Sequence, residues 1–534
     1  MGNTILIGMI CILLLFVFVG NYAGKKVHNI EDYYVSGRNA NTLLITGTIV
    51  ASALSTNCFM GDAGFTYDGY FMINVFFVMM MGCGHVYGTL FYGRFIRRSE
   101  ALTVADYFGK RFNSRRVQIV VAIVAIVACM SYLLSVTQGI NLVLSQVTGI
   151  NYKACLVITW AVYTSFVVYS GSRGVILTDT MMFILFFAVA LCMIPFTVTG
   201  AVGEFSVAEV FRELADYGAK PGIASYVGIT DGYMGSASDI IIWGILVGGA
   251  WGAAMMVSPW QAGRYLMAKN EHTVLRAGIW SSFLVFIVQS IIYFGAVCMV
   301  LVKEGIDPSE SVFIWAAQNL FPTILGVALL SGIVSAGLSS ASTFLSVIGF
   351  SVVKDIMGRD DHSKEGLKFN RIVMLVAGLI VLGIAFFMPL NIYWITIFAG
   401  TTIAGSLTIA SLFSVWKKNY SETAAFWTVT VGLVVTCAMK LMKNAGMITL
   451  PVWLDTFFIG FLASLVIALI LSAVTKPREA DQLFRQKLHV IPQEEKDPVV
   501  MKKTIRHGYY LITAGVVIAL FLIFAWALPY NGII

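Results

Sequence analysis

Apolar residues run through this chain in long blocks, each closed by a short polar or charged stretch. A helix needs about 20 apolar residues to cross the hydrocarbon of a bilayer. Fourteen such blocks are present: 4–23, 43–67, 71–93, 117–148, 154–170, 174–199, 239–263, 277–302, 322–353, 371–390, 392–415, 424–442, 452–474 and 508–529. The pattern predicts an all-α polytopic membrane protein with about 14 transmembrane helices. The first block, TILIGMICILLLFVFVG, lacks a basic stretch before it and a small-residue cleavage site, so it reads as a retained span rather than a signal peptide.

Polar positions inside the blocks refine this picture. The second block contains VASALSTNCFMGDAG, where small and polar residues interrupt the apolar pattern. The seventh contains LVGGAWGAAMMVSPW, with three glycines close together and Pro259. Glycine weakens helix continuity and proline removes a donor. Irregular backbone at membrane depth survives only where it lines a cavity or is buried in protein. The two interrupted blocks lie five spans apart, so each would open one of two five-helix repeats of opposite topology. Paired breaks in corresponding positions point to a transporter binding site.

The ninth block carries the densest polar stripe. Seven of the sixteen residues in SGIVSAGLSSASTFLS (Ser331–Ser346) bear a hydroxyl and none bears a charge. Residues three and four apart share a helix face. Ser339 and Ser340 therefore lie one turn beyond Ala336, and Ser342 and Thr343 one turn beyond Ser339. Hard cations take oxygen ligands, and hydroxyls supply oxygen without fixed charge, so an ion can bind and still leave. The competing reading for any single hydroxyl is a bond to its own i−4 carbonyl or close helix packing.

Composition agrees with the span pattern: of 534 residues, 58% are hydrophobic and 12% charged. If the N-terminus is outside, cytoplasmic loops hold 29 of the 35 Lys and Arg residues. Only Lys153, Arg212, Lys220, Lys303, Lys440 and Lys443 then face out. This follows the positive-inside rule and predicts a multi-pass protein of the plasma (inner) membrane with both termini extracytoplasmic. The net charge of +7 is mainly this topology signal and does not suggest nucleic acid. The eight cysteines fall within predicted spans without CxxC spacing, which argues against a disulfide framework or a zinc site. The longest extramembrane pieces, 201–238 and 475–507, are too short for a substantial core of their own. Within the first, GEFSVAEVFRELADYG reads as a short surface helix over the outer mouth or as a connecting loop.

At this point the chain resembles a known family. A-x-x-S-S at Ala336–Ser340 looks like the sodium-site motif of the sodium:solute symporter family. EDYYVSGRN, VASALSTNCFMGDAGFTYDGY, LTVADYFGKRF and PWQAGRYLMAKN fit the same flanking pattern. The resemblance covers roughly residues 20–420 and is weaker over the last three spans. It implies the leucine-transporter-like fold, a core of two inverted five-helix repeats. Residues 1–40 would then hold a leading helix and cytoplasmic loop, 41–200 the first repeat, 201–238 an extracellular loop and 239–420 the second repeat. Residues 421–534 would hold three trailing helices with the cytoplasmic segment 475–507. The implied function couples inward Na⁺ movement to uptake of a small organic solute by alternating access, with Na⁺ as coupling ion and no organic cofactor.

Carried over by motif, the resemblance implies a Na⁺ site formed by the carbonyls of Ala51, Leu54 and Ala336 and the hydroxyls of Ser339 and Ser340. Some relatives hold a second Na⁺ with an aspartate matching Asp179, which here implies Asp179, Ser339, Ser342 and Thr343. Independently, a carboxylate within a span defaults to a functional hypothesis. The bland alternative is an interfacial aspartate held by Arg173 or water. Some relatives carry an aspartate where this chain has Ala53, so their stoichiometry does not transfer.

The solute pocket should lie between the two breaks, with Asn57, Phe76, Tyr132, Gln138, Trp251 and Trp394 as candidate walls. Every Lys and Arg is assigned to a loop or span end, so no buried cation is expected. That favours a neutral or zwitterionic solute, or a small anion held by a half-helix N-terminus. His85, within the third span, reads as a packed, hydrogen-bonded histidine rather than a proton relay.

A membrane-embedded solute sensor or a proton-coupled transporter of the same fold are the alternatives. A sensor requires a sizeable cytoplasmic output domain, which the predicted topology does not provide. An enzyme lacks support, because HExxH, GxSxG, a phosphate-cradling glycine loop and a Cys/His cluster are all missing. A channel would share the polar stripe, but paired breaks suit alternating access better. The sequence carries no signal for oligomeric state.

Overall fold

The computed structural model describes residues 2–24, 35–215, 237–359, 364–451, 453–492 and 498–528. The fold is helical throughout. The helices that matter here are α1 (Gly2–Gly24), α2 (Thr42–Asn57), α3 (Phe71–Gly88), α4 (Arg115–Thr148) and α5 (Tyr152–Val202). They are followed by α6 (Ala237–Val257), α7 (Pro259–Met267), α8 (Glu271–Val302), α9 (Thr323–Phe350) and α10 (Lys364–Phe387). The chain continues through α11 (Ile392–Trp416), α12 (Glu422–Asn444), α13 (Thr456–Val474), α14 (Glu479–His489) and α15 (Pro498–Phe521). Side-chain oxygens set many helix starts. Asn41 accepts from Leu44 N–H at 3.0 Å, Asn270 from Thr273 N–H at 2.8 Å and Ser421 from Ala424 N–H at 3.1 Å. Each satisfies one of the donors a helix start leaves over.

Twelve helices among the described residues are long and apolar enough to cross a membrane, against the fourteen blocks of the sequence. The difference has two sources. The apolar stretch of α1, Thr4–Gly20, is shorter than the others. Blocks 154–170 and 174–199 fall in the single 51-residue helix α5, of which Val175–Val202 has span character. The segment proposed as a surface helix does form one, Val207–Ala215.

Both expected breaks are present, and one is differently made. Inside α2, Ser55 takes φ 28° and ψ 172°, outside any helical region. The chain then continues to Tyr70 through two wider turns, Cys58–Asp62 and Thr66–Tyr70. The seventh block breaks at Ser258, with Pro259 opening α7. Its glycines do not interrupt the helix: α6 is continuous through Gly248, Gly249 and Gly252. They serve contact instead, since a Cβ on Gly84 of α3 would lie 2.4 Å from the Gly252 carbonyl oxygen. Small residues let membrane helices approach this closely.

Helices α2, α9 and α11 are almost wholly enclosed, whereas α12, α13 and α15 present most of their surface outward. Apolar exposed side chains on the outer helices, such as Val466, Val517 and Phe521, suit contact with lipid. Helix α14, within the segment 475–507, docks on the face bearing the basic loops. There buried Arg111 donates to the carbonyls of Ser414 at 2.8 Å and Asp481 at 2.7 Å.

Candidate functional site

The break at Ser55 removes the regular partners of carbonyls in the turn before it, where Ala51 and Leu54 sit. The Ser55 hydroxyl accepts from Asn57 N–H at 3.0 Å and from Tyr132 OH at 3.2 Å, which ties the broken strand of backbone to α4. Helix α9 lies across from it, and Thr56 Oγ1 donates to the Ile333 carbonyl at 3.2 Å. The approach is close: a Cβ on Gly337 would lie 2.6 Å from Thr56 Oγ1.

On that face of α9, Ser335, Ser339, Ser340, Ser342 and Thr343 are all buried. Their hydrogen bonds differ. Ser342 Oγ donates to the Ser339 carbonyl at 2.8 Å, the local back-bonding expected of helical serine. Ser339 Oγ donates to Asp179 Oδ1. Ser335 and Ser340 have no partner for their hydroxyls. An unpartnered buried hydroxyl is costly in a packed interior, and Ser340 holds one at the position expected for a Na⁺ ligand.

Asp179 is fully buried on α5. Thr48 Oγ1 donates to its Oδ2, and Arg264 Nη2 lies 3.5 Å from the same oxygen. Arg264 also donates from Nη2 to Thr343 Oγ1 at 2.6 Å and from Nε to Thr48 Oγ1 at 3.2 Å. The expectation of no buried cation is thus corrected: Arg264 is buried, because α7 resumes the span that the sequence pattern ended at residue 263. The side chain of Arg173, the expected partner, lies outside the described residues. A cavity of about 60 Å³ reaches Arg264 and Thr343 from the side of Leu102–Ala105.

The candidate solute walls separate into groups. Asn57, Tyr132 and Trp251 gather around the break, with the Tyr132 and Trp251 rings 6.0 Å apart. Trp394 belongs to a separate aromatic cluster, packed with Phe65, Trp243 and Tyr393. Gln138 has both amide groups committed, donating to Pro389 O at 2.9 Å and accepting from Asn391 N–H at 3.0 Å. Phe76 faces a different space, an apolar crevice of about 910 Å³ shared with Met80, Tyr87, Met256 and Leu520. His85 is buried as expected, but neither ring nitrogen has a partner.

Sequence reasoning passed over one residue of the core. Asp62, in the broken span beyond Ser55, is buried and accepts from Asn57 Nδ2 at 2.7 Å and Tyr293 OH at 2.7 Å. Its signal was in plain view, a carboxylate inside a predicted span. One turn further on, Phe65 stacks on Tyr70 at 4.4 Å and Tyr393 at 4.0 Å between ring centroids. The far side of that aromatic layer faces a cavity of about 870 Å³ lined by Asp68, Trp394, Lys440 and Lys443 among others.

Comparison with known proteins places this geometry. The sequence model of the sodium:solute symporter family matches residues 33–432. The osmoregulated proline transporter OpuE of Bacillus subtilis is 25% identical over 504 residues, covering 91% of this chain and 97% of that protein. A sodium/proline symporter of Salmonella typhimurium is 25% identical over 483 residues, covering 86% and 91% respectively. Among solved structures, a Na⁺-coupled sialic acid symporter in a substrate-bound outward-open state superposes with a TM-score of 0.73 at 18% identity, covering 89% of this chain and 98% of the other. The nucleobase-cation-symport family transporter Mhp1, in a closed conformation, gives 0.57 at 17% identity, covering 85% and 98%.

Proposed function

Since the chain belongs to the sodium:solute symporter family and is a Na⁺-coupled solute-uptake transporter rather than an enzyme, we propose that it carries a zwitterionic, amino-acid-like solute by alternating access between its two broken helices. The solute class follows the names of relatives that carry proline. The observation that supports the ion site best is the partnerless buried hydroxyl of Ser340 beside the Ser55 break.

In this reading Na⁺ sits between the carbonyls of Ala51, Leu54 and Ala336 and the hydroxyls of Ser339 and Ser340. It bridges the broken α2 and the enclosed α9, and so favours the state open to the outside. Loss of Na⁺ to the cytoplasm frees the two helices to part, and solute follows. A second Na⁺ on Asp179, Ser339, Ser342 and Thr343 belongs to a state in which Arg264 has withdrawn, because here the guanidinium already compensates the carboxylate.

The finer architecture accompanies this mechanism. It comprises a leading segment 1–40, inverted repeats at 41–200 and 239–420, and trailing helices within 421–534, in the plasma membrane. The test is solute uptake and thermal stability of the purified protein in Na⁺ against matched K⁺. Stabilisation by Na⁺ that Ser340→Ala weakens supports the site, and equal stability in the two ions rejects it.

A further inference from the structure

Asp62 differs from two other buried carboxylates. Asp179 has Arg264 at 3.5 Å and Glu271 has Arg98 at 2.7 Å. Among the described residues no ion pair includes Asp62. It lies within the broken span, seven residues past Ser55, and is only 2% exposed. A buried charge without a partner is costly, and an ionisable residue inside a span points to function.

The groups around it lack the same thing. Asn57 Nδ2 donates to Asp62 Oδ1, and Tyr293 OH donates to Oδ2. Gln289 Nε2 donates to Tyr293 OH at 3.2 Å. Asn74 Nδ2 donates to the Asp62 carbonyl at 2.8 Å and to Thr66 Oγ1 at 2.7 Å. All three amides donate into this network, Asn74 with both of its hydrogens. Their oxygens, Asn57 Oδ1, Asn74 Oδ1 and Gln289 Oε1, are buried without a partner. Turning the Asn57 amide over would set its oxygen against the carboxylate, so its orientation is fixed by the network. What remains is a carboxylate and three amide oxygens without partners. Phe65, one turn on, adds ring faces from the aromatic layer that separates this site from the cavity beyond it.

We propose that Asp62 anchors a protonated amino group of the transported solute, so that the transporter selects ammonium-bearing solutes. This rests on the reading of the chain as a solute transporter with its pocket between the two breaks. An ammonium supplies the positive charge that the cluster lacks and N–H donors for its unpartnered oxygens, and aromatic faces favour a cation beside them. Asn57 then takes a second role, holding the carboxylate on one side and offering Oδ1 to the solute on the other. The aromatic layer closes over the amino group once the solute has passed.

The experiment is a thermal-shift titration of the full-length protein in Na⁺ and K⁺ with matched compounds. Each amino acid or amine is paired with its analogue lacking nitrogen, for example proline with cyclopentanecarboxylate. The expected result is stabilisation confined to the ammonium members and weakened at least about tenfold in Asp62→Asn. Asp62→Asn should also be at least as stable as the wild type without solute, because it removes an uncompensated charge and keeps the shape. Tyr293→Phe, which keeps the carboxylate, should retain the preference for ammonium compounds. Equal response to the nitrogen-free analogues, no response to any ammonium compound, or unchanged affinity in Asp62→Asn would overturn the proposal. So would loss of the solute-free Na⁺ response in Asp62→Asn, which would make the cluster an ion site. That Na⁺ response in the wild type, and its weakening in Ser340→Ala, reads the sodium site separately.

Discussion

Arg264 and Asp179 meet in the buried interior at 3.5 Å, the one from the half-helix after the second break and the other from α5. Arg264 also holds Thr343 of α9 at 2.6 Å and Thr48 of α2 at 3.2 Å. One guanidinium therefore ties both broken segments to α5 and α9. Neither charge is tolerable alone. Arg264→Gln should lower stability by about 3–5 kcal/mol, the usual cost of orphaning one member of a buried pair. Asp179→Asn in the same background should recover most of that loss. A double-mutant cycle on thermal unfolding checks it, and additive losses would mean the two side chains act independently.

The two serines of the proposed sodium site should separate in their effects. Ser340 has no protein partner for its hydroxyl, so Ser340→Ala should leave the solute-free fold intact. It should raise the Na⁺ concentration for half-maximal uptake by roughly tenfold, equivalent to about 1.4 kcal/mol. Ser339→Ala removes a proposed ligand and also a donor to Asp179, so it should lower stability in K⁺ as well, by about 1–3 kcal/mol. Titrating uptake against Na⁺ and unfolding in K⁺ distinguishes the two.

Arg111 makes a third test, away from transport chemistry. It is buried at the face bearing the basic loops and donates to the carbonyls of Ser414 on α11 and Asp481 on α14. Arg111→Met keeps the bulk but orphans two buried acceptors, each worth about 1–3 kcal/mol. The segment around α14 should then become accessible to protease at a lower protease concentration. Unchanged cleavage would show that α14 is held by other contacts, such as the Arg98 donation to Leu488 O.

How far the sequence reached is explained by the range of each signal. Apolar runs are local, so the spans were readable, except where 154–170 and 174–199 share one helix. The break near Ser55 was legible from clustered small and polar residues. Glycine was misleading in the seventh block, because the same residue that loosens a helix also lets two helices touch, and Gly252 does the second. Arg264 was placed outside the membrane by a single residue, since the apolar pattern ended at 263 and the helix did not. The role of Gln138 lay in contacts more than two hundred residues away, which no local pattern records. Asp62 was read as part of the interruption, and only its partners show that it is the centre of a network.

Ser55 itself offers the sharpest test of the break. A serine at φ 28° and ψ 172° is held where glycine is at home, at a cost of about 1–3 kcal/mol. Its hydroxyl partly offsets that cost by accepting from Asn57 N–H and Tyr132 OH. Ser55→Gly gives up both bonds and releases the strain, so its stability should stay within about 1 kcal/mol of wild type. Ser55→Ala gives up the same bonds and keeps the strain, so it should fall below Ser55→Gly by about 1–2 kcal/mol. Both should keep the Na⁺ response, because the carbonyls of Ala51 and Leu54 depend on the break and not on the hydroxyl. Thermal unfolding in Na⁺ and K⁺ measures both quantities. Alanine more stable than glycine would mean that residue 55 continues the helix in the membrane, and the carbonyl half of the sodium site would go with it.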